Sequence, residues 1–344
     1  MDTGSSDREM TDGDDAARDD VERDYVSTGR LPSVEHVQRM IEHAHARFRS
    51  VTEGETSQVY PALARVSPDL FGICIVSTNG TVIATGDHDA EFSIMSVSKP
   101  FVFALVCDLI GPGEARAKLG TNATGLPFNS LAAIERAAGG RTNPMVNAGA
   151  IATTSLVPGA TSEEKWRFIH DGLSRFAGRE LSVNEEVYAS ASATNFRNRS
   201  IARMLQSVDC LYSDPDEATD LYTRQCSLNV SARDLAVMGA TLADGGANPV
   251  TGIQVVSSGI CHYALAAMIT AGLYETSGDW LYEIGLPGKS GIGGGIVTVS
   301  PGKGGMGTFA PALDAEGNSV KGQLVARYLS QRLGMDLLVS QVER

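Results

Sequence analysis

A serine and a lysine three residues apart, Ser96 and Lys99, open the most apolar helix that the sequence predicts. Pro100 is tolerated only in a first helical turn and Gly111 ends the apolar run, so this helix spans about residues 96–110. Residues three apart share one helix face. A lysine ammonium that apolar neighbours desolvate loses its proton more readily and can then accept the proton of a serine hydroxyl. The pair therefore fits a nucleophile and its base, with helix N-terminal amides nearby to bind an oxyanion.

The spacing alone is a weak signal, because it recurs elsewhere in the chain. Ser162 stands three residues before Lys165, and Ser300 stands three before Lys303. Ser162 reads as a helix N-cap followed by acidic residues, and Ser300 opens a Pro-Gly turn. Only Ser96 leads an apolar helix. On the residues alone, Ser96 as an ordinary serine at a helix start stays open as the alternative.

A second motif, Lys289-Ser290-Gly291, stands at the start of a predicted strand near the end of the chain. It resembles the Lys-Thr-Gly element that accompanies Ser-x-x-Lys in β-lactamases and penicillin-binding proteins, where a strand backbone lies along the substrate and supplies an oxyanion-hole amide. The alternative is a glycine-rich turn. The accompanying Ser-Asp-Asn element is missing, since Pro215 follows Ser213-Asp214. The sequence contains no match to the Walker phosphate-loop pattern GxxxxGK[ST], and no Gly-x-Ser-x-Gly elbow surrounds Ser96.

The composition and charge of the chain indicate which partners and which compartment fit the protein. The 344 residues carry a formal net charge of −13, with ten acidic and three basic side chains in residues 1–24. This balance argues against nucleic acid or anionic membrane surfaces as partners, and no apolar run approaches the roughly 20 residues of a membrane span. Five cysteines without a CxxC pattern fit reduced thiols, and the acidic N-terminus does not show the basic and apolar segments typical of a signal peptide. We therefore expect a cytoplasmic protein.

The order of predicted elements indicates an α/β fold joined to an all-helical part. Residues 1–30 read as a disordered acidic tail. An antiparallel sheet flanked by N- and C-terminal helices is expected from residues 31–110 and 282–344, and a helical domain from residues 111–281. The first part holds a helix at 33–50 and a hairpin at 70–84 that turns at Asn79-Gly80. The last part holds strands at 288–292, 295–299 and 306–311 and a helix at 320–333. Helices within the helical part are predicted near 130–138, 161–176, 198–208, 215–225, 231–244 and 260–272.

Residues 60 to about 325 resemble the serine-dependent glutaminases of the β-lactamase-like fold. The resemblance rests on long strings in a fixed order. These are Tyr60 to Ala64, Gly125 to Ser130, Asn143 to Ile151, Arg197-Asn198, Cys226-Ser227, Gly285 to Gly291 and Asp314 to Gly322.

The resemblance implies hydrolysis of the glutamine side-chain amide to glutamate and ammonia through an acyl-enzyme, without a metal or an organic cofactor. Ser96 would be the nucleophile and Lys99 its base. Tyr222 and Tyr274 match tyrosines that contact the serine and relay protons. Substrate-binding positions match Tyr60, Asn147 and Asn198, and the amides of Ser96 and Ile292 would form the oxyanion hole. From the residues alone, Tyr60 and Tyr222 could be ordinary half-buried aromatics and Asn147 could cap a turn.

Two residues depart from the family pattern. Met95 replaces a glutamine before the serine, and Ala191 replaces a glutamate that pairs with the substrate α-ammonium in the family. Glu185 and Glu186 lie nearby in sequence but would need a local shift of the chain. Three hypotheses follow: a glutaminase, a serine amidase whose substrate lacks a free α-amino group, or a weakly active member with a binding role. We also expect a homo-oligomer, a dimer or a tetramer.

Overall fold

A computed structural model describes residues 29–339, so all but the last two residues of the predicted acidic tail lie outside the described part. A five-stranded antiparallel sheet with the order β2-β1-β7-β6-β5 forms its centre. Its strands are β1 (Gly72–Ser77), β2 (Val82–Gly86), β5 (Gly288–Ser290), β6 (Gly295–Ser300) and β7 (Gly304–Phe309). Two-residue strands β3 (Phe92–Ser93) and β4 (Asn229–Val230) pair separately.

Fourteen α-helices surround the sheet or build the helical part within residues 29–339. They are α1 (Val34–Phe48), α2 (Pro61–Ala64), α3 (Lys99–Ile110), α4 (Pro112–Leu119), α5 (Ala132–Arg136), α6 (Asn147–Ser155), α7 (Ser162–Ala177), α8 (Glu185–Thr194), α9 (Phe196–Ser207), α10 (Pro215–Cys226), α11 (Ala232–Ala243), α12 (Ser258–Ala271), α13 (Ser277–Ile284) and α14 (Val320–Arg332). Short 3-10 turns cover Met95–Ser98, Ala138–Gly140 and Tyr274–Thr276. None of the helices in this range has both the length and the apolar character that crossing a bilayer requires.

The predicted fold class is confirmed, because the early hairpin and the late strands form one sheet. Side chains alternate across β1: Ile73 and Ile75 join the apolar cluster of α1 and α14, whereas Cys74 and Val76 pack under α11. The terminal helices therefore cover one face of the sheet and α11 covers the other. The predicted helical domain of residues 111–281 stays a prediction, and α11, which belongs to it, packs directly on the sheet.

Helix α11 and strand β7 approach each other so closely that glycines are required. A Cβ atom on Gly305 would lie 2.2 Å from the Ala240 nitrogen, and one on Gly307 would lie 2.0 Å from the Ala232 oxygen. Both obstacles are backbone atoms of α11, which cannot rotate away. These two glycines therefore set the distance between the sheet and the helix.

We expect Gly307→Ala to destabilise the protein by about 1–3 kcal/mol or more, because the added methyl group must push α11 off the sheet. Urea unfolding monitored by circular dichroism measures the change. The matched control is Gly278→Ala in α13, where an added Cβ meets nothing within 4 Å. A normal unfolding midpoint for Gly307→Ala would show that α11 does not sit on β7 as described.

Most predicted elements are confirmed, with one misplaced turn and several missed helices. The glycines of residues 301–305 predict a turn, but Gly304 already begins β7, because Gly304 packs closely against the Val76 backbone of β1 and Gly305 against α11, and both contacts select glycine. Helix α6 was missed since every one of its residues is buried, which leaves no polar face to create a helical period. The other missed helices are α2, α4, α8 and α13.

Candidate active site

A cavity of about 150 Å³ opens where the sheet meets the helical part. Six of the eight residues predicted for the site line it, namely Tyr60, Ser96, Asn147, Asn198, Tyr222 and Ile292. The other two, Lys99 and Tyr274, are buried behind the wall and contact residues that line the cavity. The structure thus brings together side chains that are as many as 232 positions apart in the sequence, Tyr60 and Ile292.

The candidate nucleophile sits on a tightly fixed turn. Ser96 is 8% exposed and follows Met95, which has a positive φ of 49°. That conformation costs a non-glycine residue of the order of 1 kcal/mol and is typical of active sites. Ser98 Oγ donates to the Met95 carbonyl at 2.9 Å and accepts from Gln225 Nε2 at 3.1 Å. These bonds hold the turn and with it the position of Ser96.

Lys99 begins α3 and is almost fully buried. Its Nζ donates to Asn147 Oδ1 at 2.7 Å and to the Met145 carbonyl at 3.3 Å. Burial lowers the pKa of Lys99 to about 7. A neutral amine has two N–H groups and one lone pair, so these two acceptors use its donors and leave the lone pair to accept a proton. This environment suits a general base near neutral pH.

The asparagine that binds Lys99 also orders its neighbours. Asn147 Oδ1 accepts from the Tyr222 hydroxyl at 3.3 Å, and Asn147 Nδ2 donates to Asn198 Oδ1 at 3.0 Å. Its carboxamide orientation is therefore fixed by the partners on both ends. Within the described range, the hydrogen bond to Asn147 uses Asn198 Oδ1 and leaves Asn198 Nδ2 without a protein acceptor. This amide nitrogen can therefore donate to a molecule in the cavity.

Two buried tyrosines belong to this group of residues, and both stay protonated at neutral pH. Burial raises the pKa of Tyr222 well above 10 and that of Tyr274 to about 12. The Tyr274 hydroxyl contacts Ser96 and donates to the Ser290 carbonyl at 3.3 Å. In residues 29–339 no hydrogen bond joins Ser96 Oγ to Lys99 Nζ. Tyr274, which contacts Ser96, and Tyr222, which contacts Asn147, both keep a hydroxyl proton that they can donate.

The Lys289-Ser290-Gly291 element lies beside the serine, and its backbone comes nearest. A Cβ on Gly291 would lie 3.3 Å from the Ser96 nitrogen. In the described part of the chain, no hydrogen bond uses the backbone N–H of Ser96 or of Ile292. Two amides are thus left to bind an oxyanion. Lys289 Nζ instead donates to the Gly272 and Ser290 carbonyls, both at 2.7 Å, and lies over the Tyr274 ring.

Burial and the nearby Lys99 hold the pKa of Lys289 well below the usual lysine value. Lys289 does not line the cavity, and its contacts join the Gly272 and Ser290 carbonyls to the Tyr274 ring.

Sequence reasoning missed two residues of the site. Phe128 packs on Tyr274 with ring centroids 4.5 Å apart and covers Lys99 on its cavity side. Cys226 lines the cavity next to Tyr222, and burial raises the pKa of its thiol. Both lie in strings that carry the glutaminase resemblance, which was the available signal, but neither residue type suggests a role by itself.

The two departures from the family pattern both border the cavity. Ala191 is 3% exposed and lines the wall together with Val187 and Met95. Among the described residues 29–339, none that lines the cavity is an aspartate or a glutamate. Glu186 pairs with Arg65 at the protein surface instead. The local shift that would bring a carboxylate into the site is therefore absent from this structure.

An antiparallel sheet with both terminal helices on one face, and with Ser-x-x-Lys at its junction with a helical part, is the arrangement of β-lactamase-like proteins. The sequence profile of the family described as Glutaminase matches residues 54–338. The chain belongs to the glutaminase family.

Individual relatives agree with this assignment. The chain is 71% identical over 318 residues to "Glutaminase 2" of Yersinia pestis, covering 92% of this chain and 94% of that protein. The solved structure titled "Probable glutaminase ybaS" has a TM-score of 0.88 at 43% identity and covers 89% of this chain and 99% of its own. A structure of "Mglu in its tris and glutamate form" has a TM-score of 0.84 at 36% identity, and the match covers 91% of this chain and 69% of that one.

Proposed function

We propose that this protein hydrolyses the side-chain amide of L-glutamine to L-glutamate and ammonia through an acyl-enzyme on Ser96. The observation that carries the proposal is a cavity-lining serine one turn from a buried lysine whose pKa is about 7. The 71% identity to a glutaminase supports the substrate, and so does the similarity to a structure whose title names glutamate, the expected product.

The acylation step uses the residues described above. Lys99 takes the proton of the Ser96 hydroxyl as its oxygen attacks the amide carbon, and the amides of Ser96 and Ile292 bind the oxyanion. The carbon–nitrogen bond then breaks as a proton reaches the nitrogen from Lys99, relayed by Tyr222 or Tyr274. Ammonia leaves and the glutamyl group remains as an ester on the serine.

Deacylation repeats the chemistry with water. Lys99 removes a proton from a water molecule, the resulting hydroxide attacks the ester carbonyl, and the proton returns to Ser96 as glutamate leaves. Tyr60, Asn147 and Asn198 hold the substrate. All proposed steps use only groups of this chain and water, with no cofactor.

Ammonia release from L-glutamine, measured beside L-asparagine, tests the proposal. We expect release from glutamine and much slower release from asparagine, since its shorter side chain keeps the amide from reaching Ser96 when the α-carbon groups are bound. Equal rates for both substrates, or no release from glutamine, would contradict it. The second result would favour a member that binds without turnover.

The pH dependence follows from the lowered pKa of Lys99. Only the neutral amine can accept the serine proton, so kcat/KM should rise about tenfold per pH unit below about pH 6 and level off above the pKa of about 7. Because burial favours the neutral amine, the rising part of the kcat/KM profile lies more than about three pH units below the one that an exposed lysine would give. Initial rates at subsaturating glutamine measure the profile. A flat profile between about pH 5.5 and 8.5, with the protein folded throughout, would exclude Lys99 as the base.

We further propose that the protein is a cytoplasmic homo-oligomer. Five buried cysteines are all free, which fits a reducing compartment. Tyr282 on α13 is 91% exposed and Leu338 after α14 is 69% exposed, and a subunit contact over these side chains would bury their apolar surface. Light scattering coupled to size exclusion should give the mass of a dimer or a tetramer, and a monomer at all concentrations would be the opposing result.

A further inference from the structure

The charge of the cavity wall determines which substrates it can hold. Among the described residues, no acidic side chain lines the cavity. One basic side chain, that of Arg197, does line it. Arg197 Nε donates to the Asn129 carbonyl at 2.9 Å, which fixes its side chain at the opening. A cavity with a cation and without an anion favours carboxylates and offers no ion pair to an ammonium.

The same wall is apolar where it meets α8. Val187 and Ala191 lie one turn apart on this helix and face the cavity with Met95. Helix α2 packs against α8, and Val59, which precedes α2, borders the cavity while 59% exposed. The apolar strip therefore continues from the buried wall to the opening. An ammonium on this strip would lose water without gaining a partner, whereas an acyl group would bury apolar surface.

We propose that the enzyme also hydrolyses the side-chain amide of N-acylated glutamine, with the acyl group on the apolar strip formed by Val59, Val187 and Ala191. The inference rests on the proposed function, because the acyl-enzyme steps are unchanged. The side-chain carbon–nitrogen bond breaks, water supplies the hydroxyl of the new carboxylate, and ammonia leaves. The α-nitrogen keeps its acyl group, so the products are N-acyl-glutamate and ammonia.

The test compares kcat/KM for L-glutamine and N-acetyl-L-glutamine by ammonia release, with N-acetyl-glutamate identified as the product. We expect the value for the acetylated substrate to lie within about tenfold of that for glutamine, or above it. A value more than about tenfold lower would overturn the inference.

Two variants sharpen this comparison. Ala191→Glu places a carboxylate on the strip and should raise kcat/KM for glutamine by about tenfold for each 1.4 kcal/mol of ion pairing, while lowering it for the acetylated substrate. The control Ala191→Gln adds the same bulk without the charge and should leave the ratio of the two substrates within about threefold of its original value. Val59→Asp makes a similar change at an exposed position that tolerates it, so the test does not depend on the folding of the Ala191 variants. Equal effects on both substrates in Ala191→Glu and in Val59→Asp would overturn the role of the strip.

The outcomes separate the inference from the proposed function. Ammonia from glutamine alone would overturn the inference and leave glutamine hydrolysis standing. Ammonia from the acetylated substrate alone would support the inference and overturn glutamine as the substrate. Ammonia from neither would overturn both.

Discussion

Ser96→Ala is expected to lower ammonia release from L-glutamine by about 10⁴-fold or more, because the variant lacks the hydroxyl oxygen that forms the proposed acyl-enzyme. The fold should survive, since the change removes one hydroxyl whose described contact is with Tyr274. Initial rates with a sensitive ammonia assay measure the loss, and thermal unfolding checks the fold.

The chain supplies its own control for this variant. Ser162 has the same spacing to a lysine, Lys165, but lies at an exposed helix start. Ser162→Ala should retain full activity. Ammonia release by Ser96→Ala at the original rate would remove Ser96 from the mechanism.

Lys99→Met should cost nearly as much activity as the loss of the serine, because the two residues act as one unit. Methionine fills similar volume and removes a buried amine, so stability should not fall by more than about 1–2 kcal/mol. Steady-state rates of the single variants and of the double variant with Ser96→Ala measure the coupling. Lys165→Met is the matched control outside the cavity and should keep normal activity.

The activity of the double variant shows whether Ser96 and Lys99 share one proton transfer or act independently. The double variant should be no slower than the slower of the two single variants. A double loss equal to the product of the single losses would mean that Lys99 does not act through the serine.

Elements with local signals could be predicted from the sequence. The hairpin follows from Asn79-Gly80 between apolar strands, and the helix of Lys99 follows from Pro100 and Gly111. Each of these signals acts within a few residues of the structure it determines. The observed β1–β2 pairing, the first-turn position of Pro100 and the end of α3 before Gly111 agree with them. The predicted start at Ser96 was wrong, because α3 begins at Lys99 and Ser96 lies in the 3-10 turn Met95–Ser98.

Features that depend on contacts with residues far away in the sequence could not be predicted from local patterns. The glycines of β7 read as a turn because the α11 backbone that requires them lies about 65 residues earlier. Similarly, the pKa of Lys99 depends on burial under Phe128 and on hydrogen bonds to Asn147, which no local pattern reveals. The resemblance supplied the residue list of the site but not the charge of its wall, which emerges only when Arg197 and Ala191 border one cavity.

Formation of an acyl-enzyme on Ser96 is the central claim, and a burst experiment tests it most directly. With L-γ-glutamyl-p-nitroanilide, whose better leaving group speeds acylation, deacylation should become rate-limiting and the acyl-enzyme should accumulate. We expect a burst of about one p-nitroaniline per active site, with a glutamyl group on the peptide that contains Ser96 after acid quenching. A glutamyl group on another residue such as Cys226, or turnover by Ser96→Ala with the same burst, would contradict the account.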